Sequence, residues 1–200
     1  MKFVYKPMAR YLTFCLKYIT KIDYEIKNLK LLNDILQETN IIIGCNHQST
    51  WETFIFPLIL DNFSTVIKKE LLNIPIASIY FKKLDCIPVD RSSPVSAIRN
   101  LIKFGKRSIQ NDRSILIFPN GTRSSVDLVV EFKSGIFALY KSLNIPVIPV
   151  NVTSGKFWAR RSFLKKPGTI ILDFKEPILP GLNKDKFFKK FESSLYETNL

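Results

Sequence analysis

One histidine, His47, occurs in the 200 residues, so any imidazole chemistry in this chain is His47 chemistry. It lies in Asn46-His47-Gln48-Ser49-Thr50-Trp51-Glu52, five residues before an acid. A carboxylate on one ring nitrogen fixes the tautomer and steadies the imidazolium, leaving the other nitrogen as a general base. On one continuous helix, residues five apart diverge by roughly 140°, too far to meet. The pair therefore needs His47 in a turn and Glu52 in the first turn of a helix beginning near Thr50. Ser49 and Glu52 also have capping-box spacing, and that alone accounts for a Glu at this position. Two readings stand here: helix cap, or partner of the base.

Two further segments supply cations. Ile87-Pro88-Val89-Asp90-Arg91 is a short apolar run closing on Arg91, where Asp90 and Arg91 could equally be surface charge. Ile115-Leu116-Ile117-Phe118-Pro119-Asn120-Gly121-Thr122-Arg123-Ser124 is an apolar run emptying into a polar turn. Gly121 gives backbone access, Thr122 and Ser124 offer hydroxyls, and the Arg123 fork suits phosphate. Asn120-Gly121 is also a common turn dipeptide. The GxxxxGK[ST] phosphate loop is absent, so nucleotide hydrolysis is not indicated. One base and two arginines describe a site for a phosphate-bearing acceptor. The three cysteines, Cys15, Cys45 and Cys86, are far from any CxxC spacing. They argue against a disulfide framework or a structural zinc site and fit a reducing compartment. No metal is implied, since one His and no carboxylate cluster cannot build a catalytic zinc site.

The elements that position these groups alternate. Strand-like runs fall at residues 24–27, 41–45, 63–67, 114–118, 147–152 and 169–174. Helical patterns fall near residues 51–60, 69–81, 95–110, 134–143 and 185–196. The continuous apolar runs at 41–43 and 115–117 read as strands buried on both faces. The expected fold is α/β: a single layered domain with a mostly parallel central sheet flanked by helices and an amphipathic N-terminal helix. Ligands of such sheets collect beyond the carboxyl ends of the strands, where His47, Arg91 and Arg123 fall.

Charge is the outlying bulk property: 30 Lys and Arg against 17 Asp and Glu give +13. Such a chain seeks anions. No run approaches the ~18–20 apolar residues of a spanning helix. Over residues 8–21, Met8, Leu12, Cys15, Leu16 and Ile19 share one helical face. Arg10, Lys17 and Lys21 lie opposite, flanked by Tyr11, Phe14 and Tyr18. That pattern suits a membrane-interface helix over residues 1–22 ahead of a domain over 23–200, and equally a helix packed on its own domain. Residues 156–190 carry ten Lys and Arg against Asp173, Glu176 and Asp185, a net +7. Phe157, Trp158 and Phe163 among these cations favour an interfacial surface over a merely solvated one. No helix-turn-helix, RNP-type or zinc-finger pattern supports nucleic acid.

The blocks together resemble the glycerolipid acyltransferases. The segment 46–52 is similar to their H-x4-D/E block, and 87–91 to the second block ending in Arg. Phe118-Pro119-Asn120-Gly121-Thr122-Arg123-Ser124 resembles F-P-E-G-T-R-S, and Ile145-Pro146-Val147-Ile148-Pro149-Val150 the proline-bearing fourth block. Residues 151–155, Phe157-Trp158, Arg160 and 166–170 look like the bacterial 1-acylglycerol-3-phosphate acyltransferase branch. The chain departs from the pattern with Glu52 where many members have Asp, and Asn120 where they have Glu.

The resemblance implies transfer of a fatty acyl group from an acyl thioester to the 2-hydroxyl of lysophosphatidic acid, giving phosphatidic acid. It implies no cofactor beyond the donor substrate, acyl-CoA or acyl carrier protein. His47 is then the general base and Glu52 its partner, while Arg91, Asn120, Gly121, Thr122 and Arg123 bind the acceptor. The implied partners are a lysophospholipid, an acyl thioester and an anionic membrane surface. Attachment is peripheral, on the cytoplasmic side of the cell membrane. A sister enzyme acting on glycerol-3-phosphate or another lysolipid is the alternative. A non-enzymatic basic membrane- or nucleic-acid-binding protein would have no use for His47 facing Glu52.

Overall fold

Ile41, Ile42 and Ile43 are consecutive and fully buried, as in a strand covered on both faces. In the computed structural model, which describes residues 2–75, 78–79, 81, 84–123 and 131–196, they enter the centre of a seven-stranded sheet. In chain order the elements are α1 (Lys2–Thr20), β1 (Ile22–Lys27), α2 (Leu29–Glu38), β2 (Ile42–Cys45), α3 (Glu52–Ile59) and β3 (Phe63–Lys68). There follow β4 (Ile87–Val89), α4 (Pro94–Gln110), β5 (Ser114–Ile117), α5 (Gly135–Leu143), β6 (Val147–Val152), β7 (Gly168–Phe174) and α6 (Lys184–Tyr196). The sheet order is β1-β7-β6-β2-β5-β3-β4. Strands β6, β2, β5, β3 and β4 are mutually parallel, and β7 turns antiparallel to β6. The mostly parallel α/β sheet expected from the alternating pattern is what forms.

Each sheet face carries its own core. Ile41, Ile43 and Cys45 of the β2 segment point with Leu116 into a cluster with Leu32, Trp51, Ile55 and Phe56. Ile42, Ile115 and Ile117 point the other way, onto Leu101, Ile136, Leu139, Phe187 and Phe191. Each such side chain stabilises by about 1.5–3 kcal/mol on leaving water. Gly44 lets α5 and α6 close on β2, because a Cβ there would stand 2.6 Å from Ile136 and 2.7 Å from Phe191. The centre of the sheet is thus rigid where the His47 turn leaves it.

Helix α2 is not among the elements expected from the sequence, although Leu29, Leu32, Ile35 and Leu36 keep helical spacing. The helix expected over 69–81 opens as a 3-10 turn over Lys69–Asn73 and is α-helical at residues 75, 78, 79 and 81, while 76, 77 and 80 lie outside the described residues. Ser124 also lies outside them.

Helix α1 packs on α3 and β1 through a face rotated from the one expected: Leu12, Cys15 and Leu16 of the expected stripe stay half-buried, but its ends do not. Ala9 is buried and Leu12, Thr13, Leu16 and Thr20 are half-buried, whereas Met8 and Ile19 are exposed. Small Ala9 permits close approach, and the hydroxyls of Thr13 and Thr20 donate to Ala9 O (3.0 Å) and Leu16 O (2.7 Å). Those bonds let threonines enter an apolar contact. Tyr11, Phe14 and Tyr18 therefore face outward with Met8 and Ile19.

Candidate active site

Strand β2 ends at Cys45, and the next residue redirects the chain by imitating a strand. Asn46 Oδ1 accepts from Val152 N (2.7 Å), while its Nδ2 donates to Val152 O (3.2 Å) and Asn151 Oδ1 (3.1 Å). Gln48 Oε1 accepts from Gly155 N (3.1 Å), fastening the turn to the end of β6 a second time. Buried Trp51, in contact with Tyr24 at 5.8 Å between rings, anchors the start of α3. Held at both ends, the turn presents His47.

His47 Nδ1 lies 3.3 Å from Glu52 Oε2, and the carboxylate is fully buried. Glu52 Oε1 accepts from Gln48 N (3.2 Å), Ser49 N (3.0 Å) and the Ser154 hydroxyl; Oε2 accepts from Ser49 N (3.0 Å). These donors match an ionised carboxylate, which only accepts. The imidazole stacks on Phe118, 4.2 Å between ring centres. With Nδ1 turned to Glu52, Nε2 is the nitrogen left for a substrate. Cap and partner are the same group: Glu52 binds the Ser49 backbone and faces His47 at once.

His47 and Glu52 line a cavity of about 300 Å³ with Arg91, Gly121, Thr122 and Arg123. Its remaining wall is largely apolar, including Phe56, Phe63, Ile67 and Leu116. Arg123 Nη1 donates to Thr50 Oγ1 (2.7 Å), which ties the β5 turn to the His47 turn. Gly121 adopts φ +72°, and the Arg91 guanidinium lies 4.0 Å from where its Cβ would be. Glycine thus serves the left-handed turn, and a Cβ there would make no more than ordinary contact with Arg91. Asp90 does not pair with that arginine among the contacts seen: the Ser92 hydroxyl and amide, and then Lys69, hold its carboxyl down at about 2.

Asn120 differs from the other expected acceptor residues. It is buried, lines a second cavity of about 400 Å³ beyond Arg91, and its Oδ1 accepts from His47 N at 3.4 Å. Its visible work is on the His47 main chain. Lys133, which the sequence reading missed, adds a third cation, its Cγ 3.7 Å from the Gly121 Cβ position. Asn46, Gln48 and Ser154 were missed as well. No local pattern marks the three, since their partners lie about a hundred residues away in sequence.

Burial, and secondarily the Glu52 charge, push the Cys45 thiol well up. Burial raises Cys86 to about 12. Among the described residues, no group of three or more His, Cys, Asp and Glu could hold a metal ion. No described helix is long and apolar enough to cross a membrane.

A layered α/β domain that brings a His–carboxylate pair and two arginines to its strand ends has parts able to move a proton and to hold an anion. Comparison with known proteins makes that specific: the acyltransferase family profile matches residues 25–153, and the chain belongs to that family. It is 33% identical over 169 residues to the 1-acyl-sn-glycerol-3-phosphate acyltransferase of Pseudomonas aeruginosa, covering 84% of this chain and 64% of that one. The enzyme of the same name from Saccharomyces cerevisiae is 28% identical over 200 residues, covering 96% and 66%. The chain spans less than two thirds of the Pseudomonas relative and, at 46%, under half of the one from Cocos nucifera. The fold matches the crystal structure of the 1-acyl-sn-glycerophosphate acyltransferase from Thermotoga maritima, with TM-score 0.74 and 21% identity, over 96% of this chain and 75% of that one.

Proposed function

We propose that this protein transfers a fatty acyl group from an acyl thioester to the 2-hydroxyl of lysophosphatidic acid, forming phosphatidic acid. The observation that carries the reading is the His47 Nδ1–Glu52 Oε2 contact of 3.3 Å at a cavity shared with Arg91 and Arg123. The names of the Pseudomonas and Saccharomyces relatives support the same substrate.

In this mechanism His47 Nε2 takes the hydroxyl proton as the oxygen attacks the thioester carbonyl. Glu52 steadies the imidazolium. The tetrahedral centre collapses, the carbon–sulfur bond breaks, and His47 returns the proton to the departing thiolate. General-base assistance of this kind contributes about 10²–10⁴-fold. Arg91 and Arg123, with Gly121 and Thr122, hold the glycerol phosphate so that its hydroxyl meets the base. Asn120 fixes the His47 turn from behind. No cofactor enters beyond the donor, acyl-CoA or acyl carrier protein. A thioester on the enzyme is disfavoured because buried Cys45 resists ionisation.

Residues 1–22 act as a peripheral anchor for the domain over 23–200, on the cytoplasmic side of the cell membrane. Tyr11, Phe14, Tyr18 and Ile19 would enter the interface, with Arg10 and Lys17 at the level of lipid phosphates. The test is turnover of purified protein on a panel of lysolipids and glycerol-3-phosphate with both donors, read by mass spectrometry. Phosphatidic acid from lysophosphatidic acid is the expected product. Acylation of glycerol-3-phosphate alone would transfer the assignment to a sister activity, and no acylation at all would end it.

A further inference from the structure

Between β6 and β7 the chain makes a compact loop at residues 157–168 with an unusual tip. Phe163 is 97% exposed and Leu164 71%, side by side. Apolar side chains held this far into water at one point mark a contact surface. The loop is built to hold them there. Lys166 N donates to Phe157 O (2.9 Å), Ser162 N to Ala159 O (3.2 Å) and Ser162 Oγ to Leu164 O (3.0 Å). Arg161 takes the left-handed conformation at φ 58° to make the turn. Lys165 Nζ donates to Phe163 O (3.0 Å) and sits 4.5 Å over the Trp158 ring.

The charge around the tip has one sign. Lys156, Arg160, Arg161, Lys165 and Lys166 surround it, and no Asp or Glu occurs from Thr153 to Leu172. Apolar tip and cationic collar together fit an anionic lipid surface, with side chains among acyl chains and cations at the phosphates. An acidic protein partner would use the collar and leave the tip unexplained. Both ends of the loop lead to other parts of the machinery. Gly168 N donates to Lys21 O (3.0 Å) at the end of α1. Arg160 Nη1 donates to Arg123 O (3.3 Å) at the phosphate turn.

We propose that residues 159–166 form a second membrane contact, which inserts Phe163 and Leu164 into an anionic leaflet beside the acceptor site. The proposal rests on the lipid-acyltransferase reading and adds to it the place where the active-site rim meets the bilayer. A lysolipid leaving the leaflet at this loop emerges next to the turn that carries Arg123.

The test uses the full chain and vesicles of phosphatidylcholine, alone or mixed equally with phosphatidylglycerol. The double variant Phe163→Ser with Leu164→Ser is expected to bind mixed vesicles about tenfold more weakly. Each cation near an anionic surface is worth about a fivefold change, so Arg161→Gln with Lys166→Gln loses about 25-fold on mixed vesicles and nothing on neutral ones. The Phe163→Trp variant is expected to be quenched by lipids brominated in their acyl chains, beyond any quenching of the wild-type tryptophans. Wild-type affinity in the double serine variant overturns the proposal, and so does quenching of Phe163→Trp no greater than that of the wild type. Intact vesicle binding with lost binding of an acidic acyl carrier protein overturns it in favour of carrier docking. Turnover of water-soluble short-chain substrates is expected to be unchanged in all these variants. A wild type without turnover refutes the acyltransferase reading alone, because vesicle binding and quenching still decide the loop.

Discussion

Replacing Glu52 by Gln changes one atom and, on this geometry, inverts the histidine. The Gln amide must place its NH₂ group at one of the two carboxylate positions. At the Oε1 position it would face three donors, Gln48 N, Ser49 N and the Ser154 hydroxyl. At the Oε2 position it faces Ser49 N and His47 Nδ1. Each buried donor left without an acceptor costs about 1–3 kcal/mol, so the second placement wins. Ser49 N then keeps the remaining oxygen, and the fold survives with a loss of about 1–2 kcal/mol. The NH₂ group, however, can only donate, which forces Nδ1 to accept and moves the ring proton to Nε2. Protonated there, His47 cannot take the hydroxyl proton. The equivalent tautomer error in a serine-protease triad costs about 10⁴-fold. We therefore expect kcat to fall about 10³–10⁴-fold, close to His47→Ala, with acceptor KM within about threefold. Since His47 is the only histidine, its ring nitrogen NMR shifts report the tautomer without overlap. Retention of a tenth of wild-type kcat, or a spectrum with the proton still on Nδ1, would refute the argument.

Ser154→Ala removes one donor from Glu52 without touching substrate. It should lower kcat about tenfold and leave both KM values in place. Asn120→Ala takes the acceptor from His47 N. We expect kcat about tenfold lower with acceptor KM nearly constant; a change confined to acceptor KM would assign Asn120 to the phosphate instead. Cys45→Ala should keep turnover within about threefold while stability drops about 1–2 kcal/mol. A folded but inactive Cys45→Ala protein, judged by circular dichroism, would point to a covalent thioester. Asp90 is held at about 2, below its ordinary 3.8. Its contribution is thus present above the ordinary value and disappears as pH falls toward 2, so denaturation of Asp90→Asn should depend less on pH over that window.

How far these features could be read from the chain depended on whether a residue's role was local. Ile41 to Ile43 and Ile115 to Ile117 announce doubly covered strands, because burial on both faces leaves no polar alternation to hide them. The first-turn position of Glu52 follows from its spacing to Ser49, and the structure places the acid there. The outward face of α1 was misread because helical periodicity ranks residues by hydrophobicity. Packing against α3 selected Ala9 and Thr13 for size and for hydroxyls that their own helix satisfies. Asn46, Gln48 and Ser154 act across more than a hundred residues of sequence, on the end of β6. Nothing in their own neighbourhood signals that pairing. It follows from β2 lying beside β6, a fact of topology.

The two readings of Glu52, helix cap and partner of the base, are one device when taken at atomic distance. An acid that faces only a histidine can rotate away from it. An acid pinned by the Ser49 and Gln48 amides cannot, and those amides belong to the same turn that carries His47. The cap therefore converts the start of α3 into a fixed reference for the imidazole, and Ser154 extends that reference to β6. This also explains why the acid tolerates complete burial: its charge meets the Gln48 and Ser49 amides and the Ser154 hydroxyl. The arm of Glu52, one methylene longer than that of an Asp, lets one carboxylate span the Ser49 amide, the Ser154 hydroxyl and His47 Nδ1 together. Shortening it by Glu52→Asp should break one of the three contacts. The NMR shifts of His47 would show whether the imidazole contact is the one released.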